Sequence, residues 1–165
     1  MEMLRKEQNE PIFFVDAMLG NIAKKLRLMG YDSKYLADIE DDELINQVKK
    51  DHRIIISRDE DLIRKSLKLG LEAIFVKNRQ EIEQFREIIK KSNLKNFEIN
   101  GDRARCPNCN FKTESVDKKN IYKKIPSKIL EHNDKFWECK VCDKIFWEGT
   151  HIKNLQKFVG KLNER

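Results

Sequence analysis

Short apolar runs alternate with longer segments of helical periodicity through the first part of the chain. Four such runs predict strands at residues 12–15, 31–36, 53–57 and 72–76. Apolar positions three and four residues apart predict helices at residues 17–29, 41–50, 60–69 and 80–91. Because strands that alternate with helices pair in parallel through right-handed crossovers, the pattern predicts a doubly wound α/β sheet with helices on both faces.

The predicted sheet places several acidic residues at one edge. The isoleucines at 54–56 indicate a strand buried on both faces. If the first strand lies between the second and the third, the chain reverses direction between strands one and three. Asp16 and Asp59 follow these two strands, at the point where open α/β sheets place their sites. Asp41 opens the helix after strand two on the same edge.

Four carboxylates at one sheet edge indicate a metal site. Asp16, Asp41, Asp59 and Asp61 cannot all be ionised in a dry pocket without a compensating cation. Mg²⁺ or Mn²⁺ held by Asp16, Asp59 and Asp61 suits carboxylate and phosphate oxygens. Such an ion activates water and polarises a phosphodiester. The pattern therefore predicts metal-assisted phosphodiester hydrolysis, without a Ser, Cys or His nucleophile.

Each of these residues also has a purely structural interpretation. Asp41, Asp42 and Asp59 are well placed to cap helices, and residues 60 and 61 favour a helix amino end. Asp16 has the weakest such alternative, because several residue types could cap there. Spacing alone leaves both interpretations open.

Basic residues near the acids are candidates to bind a nucleic-acid backbone. Lys24, Lys25 and Arg27 lie on the polar face of the first predicted helix, and Arg58 precedes Asp59. Beside a metal-bound phosphate they would hold the RNA backbone. Otherwise the first three form an ordinary solvated helix face, and Arg58 pairs with neighbouring acids.

All four cysteines occur in two CxxC pairs, separated by 29 residues. This pattern predicts a structural Zn²⁺ on Cys106, Cys109, Cys139 and Cys142. A redox role is disfavoured, since no thioredoxin-like βαβ unit surrounds the Cys-Pro-Asn-Cys segment. Four aromatic residues near the second pair are expected to form the small core of a zinc ribbon, the alternative being that one exposed ring stacks on an unpaired base: Phe136, Trp137, Phe146 and Trp147. His151 is expected in a structural or RNA-contacting role rather than as a fifth ligand.

Charge is divided unevenly along the chain. Residues 1–100 carry nineteen basic and nineteen acidic side chains, so the formal net charge of +6 belongs to residues 101–165. A basic module indicates an anionic partner, with nucleic acid first. A mean hydropathy of −0.71 and the lack of a long apolar run exclude a membrane span. The charged opening residues lack a secretory signal pattern, so we expect a cytoplasmic protein without a membrane partner.

Three stretches together resemble the Mut-7 C-terminal RNase domain (Mut7-C), a PIN-like family. They are FFVDAMLGNIAKKLRLMGYDSKYL, then DDELINQVKKDHRIIISRDEDLI, and finally RCPNCN with FWECKVCDKIFWEGTH. The resemblance covers about residues 12–155. Val48 stands where alanine is usual, and Lys24 and Lys25 occupy an Ala-Arg-rich turn, but neither departure removes an acid.

The resemblance implies a PIN-like α/β/α nuclease domain at residues 1–100 and a fused zinc ribbon at 101–165 with a short carboxyl-terminal helix. It implies a divalent-metal-dependent ribonuclease, with internal cleavage expected, and acids at Asp16, Asp41, Asp59 and Asp61, Asp42 being the alternative to Asp41. Single-stranded or structured RNA, such as rRNA or tRNA, is the expected partner.

Three other functions fit the same architecture: a non-catalytic RNA- or ribosome-binding protein, a ribosome-maturation endonuclease and a toxin-type nuclease. The RNA substrate, the choice between internal and terminal cleavage, the activity of this member and its oligomeric state stay open.

Overall fold

The computed structural model describes residues 10–95 and 97–164. The charged opening segment used to exclude a secretory signal lies mostly in residues 1–9, outside the described residues. The described chain forms two compact units, residues 10–26 with 31–95 and residues 27–30 with 97–164. Among the described residues, no helix combines the length and apolar character needed to cross a bilayer.

The first unit is built on a parallel four-stranded sheet with strand order β2-β1-β3-β4. The strands are β1 (Phe13–Val15), β2 (Ser33–Tyr35), β3 (Ile54–Ser57) and β4 (Ala73–Phe75). β1 pairs with both β2 and β3, with Val15 level with Tyr35 on one side and with Ile56 on the other. The predicted reversal of chain direction between the first and third strands is confirmed.

Helices cover the sheet, as the doubly wound pattern predicts. They are α1 (Gly20–Leu28), α2 (Asp41–Asp51), α3 (Glu60–Lys68) and α4 (Glu81–Ser92), with a 3₁₀ turn at Ala17–Leu19 before α1. α2 and α3 pack their apolar residues against Phe14 and Ile55 in one core cluster. Because neighbouring strand residues point to opposite faces, the buried Phe13 and Ile56 face the other layer.

Two local features lie at the ends of helices and strands in this unit. His52 ends α2 with a left-handed backbone (φ 56°) and an exposed side chain, as expected of a turn residue. At the amino edge of the sheet, Arg53 Nη1 donates to Asp32 Oδ1 at 2.7 Å and to the Phe13 carbonyl oxygen at 3.2 Å. This pair therefore stabilises the edge opposite the predicted acids.

The second unit contains an antiparallel sheet of order β5-β6-β7, with β5 (Glu114–Val116), β6 (Phe136–Glu138) and β7 (Ile145–Phe146). Short helices α5 (Lys118–Ile121) and α6 (Ser127–His132) lie between β5 and β6, and α7 (Thr150–Asn163) follows β7. Phe136, Ile121 and Ile145 form its core cluster. The predicted fold class, a parallel α/β sheet followed by a four-cysteine module, is confirmed.

Candidate functional site

Asp16 and the end of β3 are joined by hydrogen bonds at the carboxyl edge of the first sheet. The Asp16 backbone N–H donates to the Ile56 carbonyl oxygen at 2.9 Å, which continues the β1–β3 pairing by one residue. The buried Ser57 hydroxyl donates to Asp16 Oδ2 at 2.7 Å and accepts from the Asp59 N–H at 2.9 Å. Asp16 Oδ1 accepts from the Ala17 N–H at 2.7 Å. Ser57 therefore fixes Asp16 relative to the segment that carries Asp59.

Asp59 caps α3 with one of its two oxygens. Oδ1 accepts from the backbone N–H groups of Asp61 at 2.9 Å and Leu62 at 3.2 Å. The helix-capping interpretation is thus correct for this oxygen. No hydrogen bond from the described residues reaches Oδ2, and the side chain is exposed. The cap consequently leaves one carboxylate oxygen available to a cation.

Asp41 lies within the electrostatic influence of the other two acids. Partial burial raises the pKa of the Asp41 carboxyl, and the negative charges of Asp59 and then Asp16 raise it further. The neighbouring Asp42 instead forms an ion pair with Lys65, whose hydrogen bond lowers the pKa of Asp42. The geometry therefore favours Asp41 over Asp42 as the second acid.

Asp61 is more exposed and pairs with a neighbour on its own helix. Its carboxylate is 89% exposed on the first turn of α3, with Oδ1 at 3.2 Å from Arg64 Nη1. Ser57 thus connects Asp16 with the segment that carries Asp59, and the charges of both acids raise the pKa of Asp41. The roles of all four acids stay predictions.

The four predicted RNA-binding residues occupy different environments. Lys24 is exposed and Arg58 is half-buried, and neither pairs with a carboxylate of the described residues. Lys25 forms an ion pair with Glu81. Arg27 is only 6% exposed, and its Nη1 donates to the Pro107 carbonyl oxygen at 2.6 Å within the second unit. An RNA-binding role stays a prediction for all four, and the geometry favours Lys24 and Arg58.

The four cysteines form a compact cluster in the second unit. Their sulfur atoms all lie within 4.8 Å of one another, and Cys106 Sγ is 3.8 Å from Cys142 Sγ. A tetrahedral site with Zn–S bonds of about 2.3 Å requires sulfur separations of about 3.8 Å. A hydrogen bond with Cys142, together with partial burial, raises the pKa of Cys109 to about 12. These cysteines are positioned to bind a metal ion, which would stabilise their thiolates.

Several aromatic and basic side chains of the second unit pack or form ion pairs within that unit. Phe136 and Trp137 are buried, and Trp147 packs with its ring centroid 6.4 Å from that of Phe136. In the segment rich in lysine between the two cysteine pairs, Lys118 pairs with Asp134 and Lys124 with Glu138. His151 is exposed at the start of α7 and does not belong to the cysteine cluster. The most exposed large aromatic residues of this unit are instead Phe111 and Tyr122.

Three further residues lie at the acidic edge without having been predicted there: Ser57, Tyr35 and Arg79. Tyr35 ends β2, and its hydroxyl donates to the Ala17 carbonyl oxygen at 3.1 Å. Arg79 lies in the loop between β4 and α4. Their signal is positional: each lies at or just after a strand end, as the predicted acids do.

The opposite environments of Asp41 and Asp42 lead to a testable difference in stability. The raised pKa of Asp41 means that its ionised form destabilises the fold, and this loss grows as the pH rises above about 4. The lowered pKa of Asp42 means that its ion pair stabilises the fold above that pH. At pH 7 we expect Asp41→Asn to have a higher Tm than Asp42→Asn, and the two to converge below about pH 3.

Both variants remove a charge from the first turn of α2, so the change in the helix-dipole interaction is shared. Thermal unfolding followed by circular dichroism from pH 3 to 8 checks this prediction. An Asp41→Asn protein less stable than Asp42→Asn at pH 7 would contradict the proposed crowding of acids.

The family comparison covers nearly all of this architecture. Residues 11–159 match the family model described as the Mut7-C RNAse domain. No curated protein and no solved structure matches the chain significantly. An RNase domain implies RNA as the substrate and a nuclease or RNA-related function. Because the match spans both the acidic edge and the cysteine cluster, the chain belongs to the Mut7-C RNase domain family.

Proposed function

We propose that this protein is a divalent-metal-dependent ribonuclease that hydrolyses RNA phosphodiester bonds internally. The observation that supports the proposal is the hydrogen bonding of Ser57 to Asp16 and to the Asp59 N–H at the carboxyl edge of the sheet, together with the charges of Asp59 and Asp16, which raise the pKa of Asp41. Mutual repulsion between carboxylates is relieved by a cation. Asp61 remains in the proposal as a fourth acid on the same helix as the Asp59 cap.

The carboxylates of Asp16, Asp41 and Asp59 suit Mg²⁺ or Mn²⁺ that keeps several waters better than an ion coordinated entirely by protein atoms. Among the described residues, only the four cysteines form a group of potential ligands as tight as 4.8 Å. The carboxylates of the acidic edge do not form such a group among the described residues, so they would bind Mg²⁺ through few direct contacts, as this ion allows because it keeps several waters. When bound, such an ion supplies a Lewis acid and an activated water for phosphodiester hydrolysis.

Individual side chains would support phosphodiester hydrolysis either by being held in position or by binding RNA phosphates. Ser57 holds Asp16 in one orientation through its 2.7 Å hydrogen bond. The cap formed by Asp59 Oδ1 fixes this side chain while Oδ2 remains available. Lys24 and Arg58, without carboxylate partners in the described chain, would hold RNA phosphates by charge. Preorganised side chains reduce the reorganisation required during the reaction.

The second unit has a different task in this proposal. A structural Zn²⁺ on the four cysteines stabilises the ribbon, and its basic surface aids RNA binding. The excess of basic residues in 101–165, fifteen against nine acidic, supports that role. A nuclease domain at 1–100, a ribbon module at 101–165 and a cytoplasmic location are part of the same proposal.

A non-catalytic RNA-binding protein is the second candidate. It is favoured by the cysteine cluster, the one tight group of potential metal ligands among the described residues, since a binding protein requires only the metal bound there. The two functions differ in whether Mg²⁺ or Mn²⁺ is needed for an effect on RNA.

Asp59→Asn separates catalysis from folding. Asparagine keeps Oδ1 and caps helices about as well as aspartate, so we expect an unchanged Tm. Loss of the negative oxygen should reduce Mn²⁺-dependent cleavage of end-labelled RNA by at least about a hundredfold. Glu60→Gln is the control, because it removes a charge from the next, exposed residue. Equal cleavage by Asp59→Asn and Glu60→Gln would refute the proposed site.

Cys139→Ser tests the metal of the second unit. We expect loss of bound zinc, measured by elemental analysis, and unfolding of the ribbon. Both tryptophans of the chain lie in this unit, so their fluorescence reports its folding. Val141→Ser, at an exposed position between Cys139 and Cys142, is the control and should retain zinc. A Cys139→Ser protein with full zinc content and unchanged fluorescence would overturn the assignment.

A further inference from the structure

A cleft of about 560 Å³ opens in the first unit beside the acidic edge. Its lining includes Met18, Lys24, Tyr35, Arg58 and Arg79. Met18 lies two residues after Asp16, and Arg58 directly precedes Asp59. Residues that line the cleft are therefore close in sequence to Asp16 and Asp59, the two acids that hydrogen-bond to Ser57.

Three cationic side chains reach this cleft from separate parts of the chain. Lys24 comes from α1, Arg58 from the end of β3 and Arg79 from the loop before α4. No carboxylate of the described residues forms an ion pair with any of the three. The acidic residue of the lining, Glu81, is already paired with Lys25. The cleft thus gathers, from three elements, cationic side chains that have no ion-pair partner in the described chain, which an ordinary solvated helix face would not do.

The wall of the cleft is held by a close contact between Gly20 and Tyr35. A Cβ atom on Gly20 would lie 2.9 Å from the Tyr35 hydroxyl oxygen and 3.0 Å from Cζ of its ring. The same hydroxyl donates to the Ala17 carbonyl oxygen at 3.1 Å. These contacts fix the turn that carries Met18, whose side chain is 75% exposed. An exposed methionine on a fixed turn offers an adaptable apolar contact.

We propose that this cleft binds single-stranded RNA next to the scissile bond, with Arg79 contacting a backbone phosphate and Met18 contacting an unstacked base. The inference rests on the proposed function, because it assigns the substrate contacts of that same site. A volume within the range of small-ligand pockets accommodates a nucleotide or two rather than a helix. Unpaired bases can reach apolar or guanidinium surfaces, whereas the bases of a duplex are stacked and paired inside it.

Arg79→Gln tests the phosphate contact directly. Binding of a fluorescent single-stranded RNA to the zinc-loaded protein is measured by anisotropy without Mg²⁺ or Mn²⁺, over a range of salt concentrations. We expect roughly a tenfold weaker Kd at low salt, because a charged hydrogen bond is lost. The plot of log K against log salt should become less steep by about 0.7.

Lys50→Gln is the matched control, since Lys50 is exposed near the end of α2, does not line the cleft and has no carboxylate partner among the described residues. Its salt dependence should equal that of the wild type. Met18→Ser should weaken binding without changing the salt slope, because it removes an apolar contact. An Arg79→Gln protein that binds like Lys50→Gln, or a wild type that binds duplex RNA as tightly as the single strand, would overturn the inference.

Cleavage by the same proteins distinguishes this inference from the proposed function. If the wild type cuts RNA with Mn²⁺ while Arg79→Gln retains wild-type binding and KM, the nuclease stands and the cleft assignment fails. If Arg79→Gln weakens binding as expected but no protein cuts RNA, the cleft assignment stands and the nuclease fails.

Discussion

The pairing of β1 with β3 is the constraint on which the candidate site depends. It places Val15 level with Ile56, and the next N–H along the chain, that of Asp16, still bonds to the Ile56 carbonyl oxygen. The Ser57 hydroxyl then reaches Asp16 Oδ2 from the neighbouring strand end. A shift of β1 by one residue would turn Asp16 towards the opposite face of the sheet. The register therefore decides whether the acids meet at all.

The same arrangement carries an electrostatic cost. Burial and two neighbouring carboxylates raise the pKa of Asp41, so the folded protein holds its ionised form against repulsion. A cluster of acids with only a structural role would be stabilised by an ion pair with a lysine, as Asp42 is by Lys65. The charge of Lys65 offsets only part of the rise in the pKa of Asp41, and acids with a perturbed pKa occur preferentially at functional sites. The basic residues instead line the adjacent cleft, where an RNA backbone can neutralise them.

Much of the fold was predictable because its signals are local and periodic. The isoleucine run of β3 and the apolar spacing of the helices gave the element order, and the alternation of strands with helices gave the parallel sheet. The paired cysteines likewise indicated their cluster, since few other roles explain two CxxC pairs in one short module. Asp16 and Asp59 could be placed at one edge because each follows a strand directly.

The remaining features depend on contacts between residues that are far apart in the sequence. Local sequence patterns carry no signal for such contacts. Arg27 has the spacing of a solvated helix face, yet its guanidinium is buried against Pro107, eighty positions away. Arg79 belongs to a loop with no periodicity, and Ser57 appears in sequence as one more strand residue. Asp41 and Asp42 are adjacent and chemically alike, so only their partners, the other acids or Lys65, distinguish them.

Titration of the zinc-loaded protein with Mn²⁺, with free Mn²⁺ followed by electron paramagnetic resonance, tests the proposal that Asp16, Asp41 and Asp59 together hold a divalent cation. Wild type and Asp16→Asn are compared, with Asp32→Asn as a control at the opposite edge of the sheet. We expect saturable Mn²⁺ binding by the wild type and by the control, and its loss in Asp16→Asn. Identical titrations for all three proteins would contradict the account.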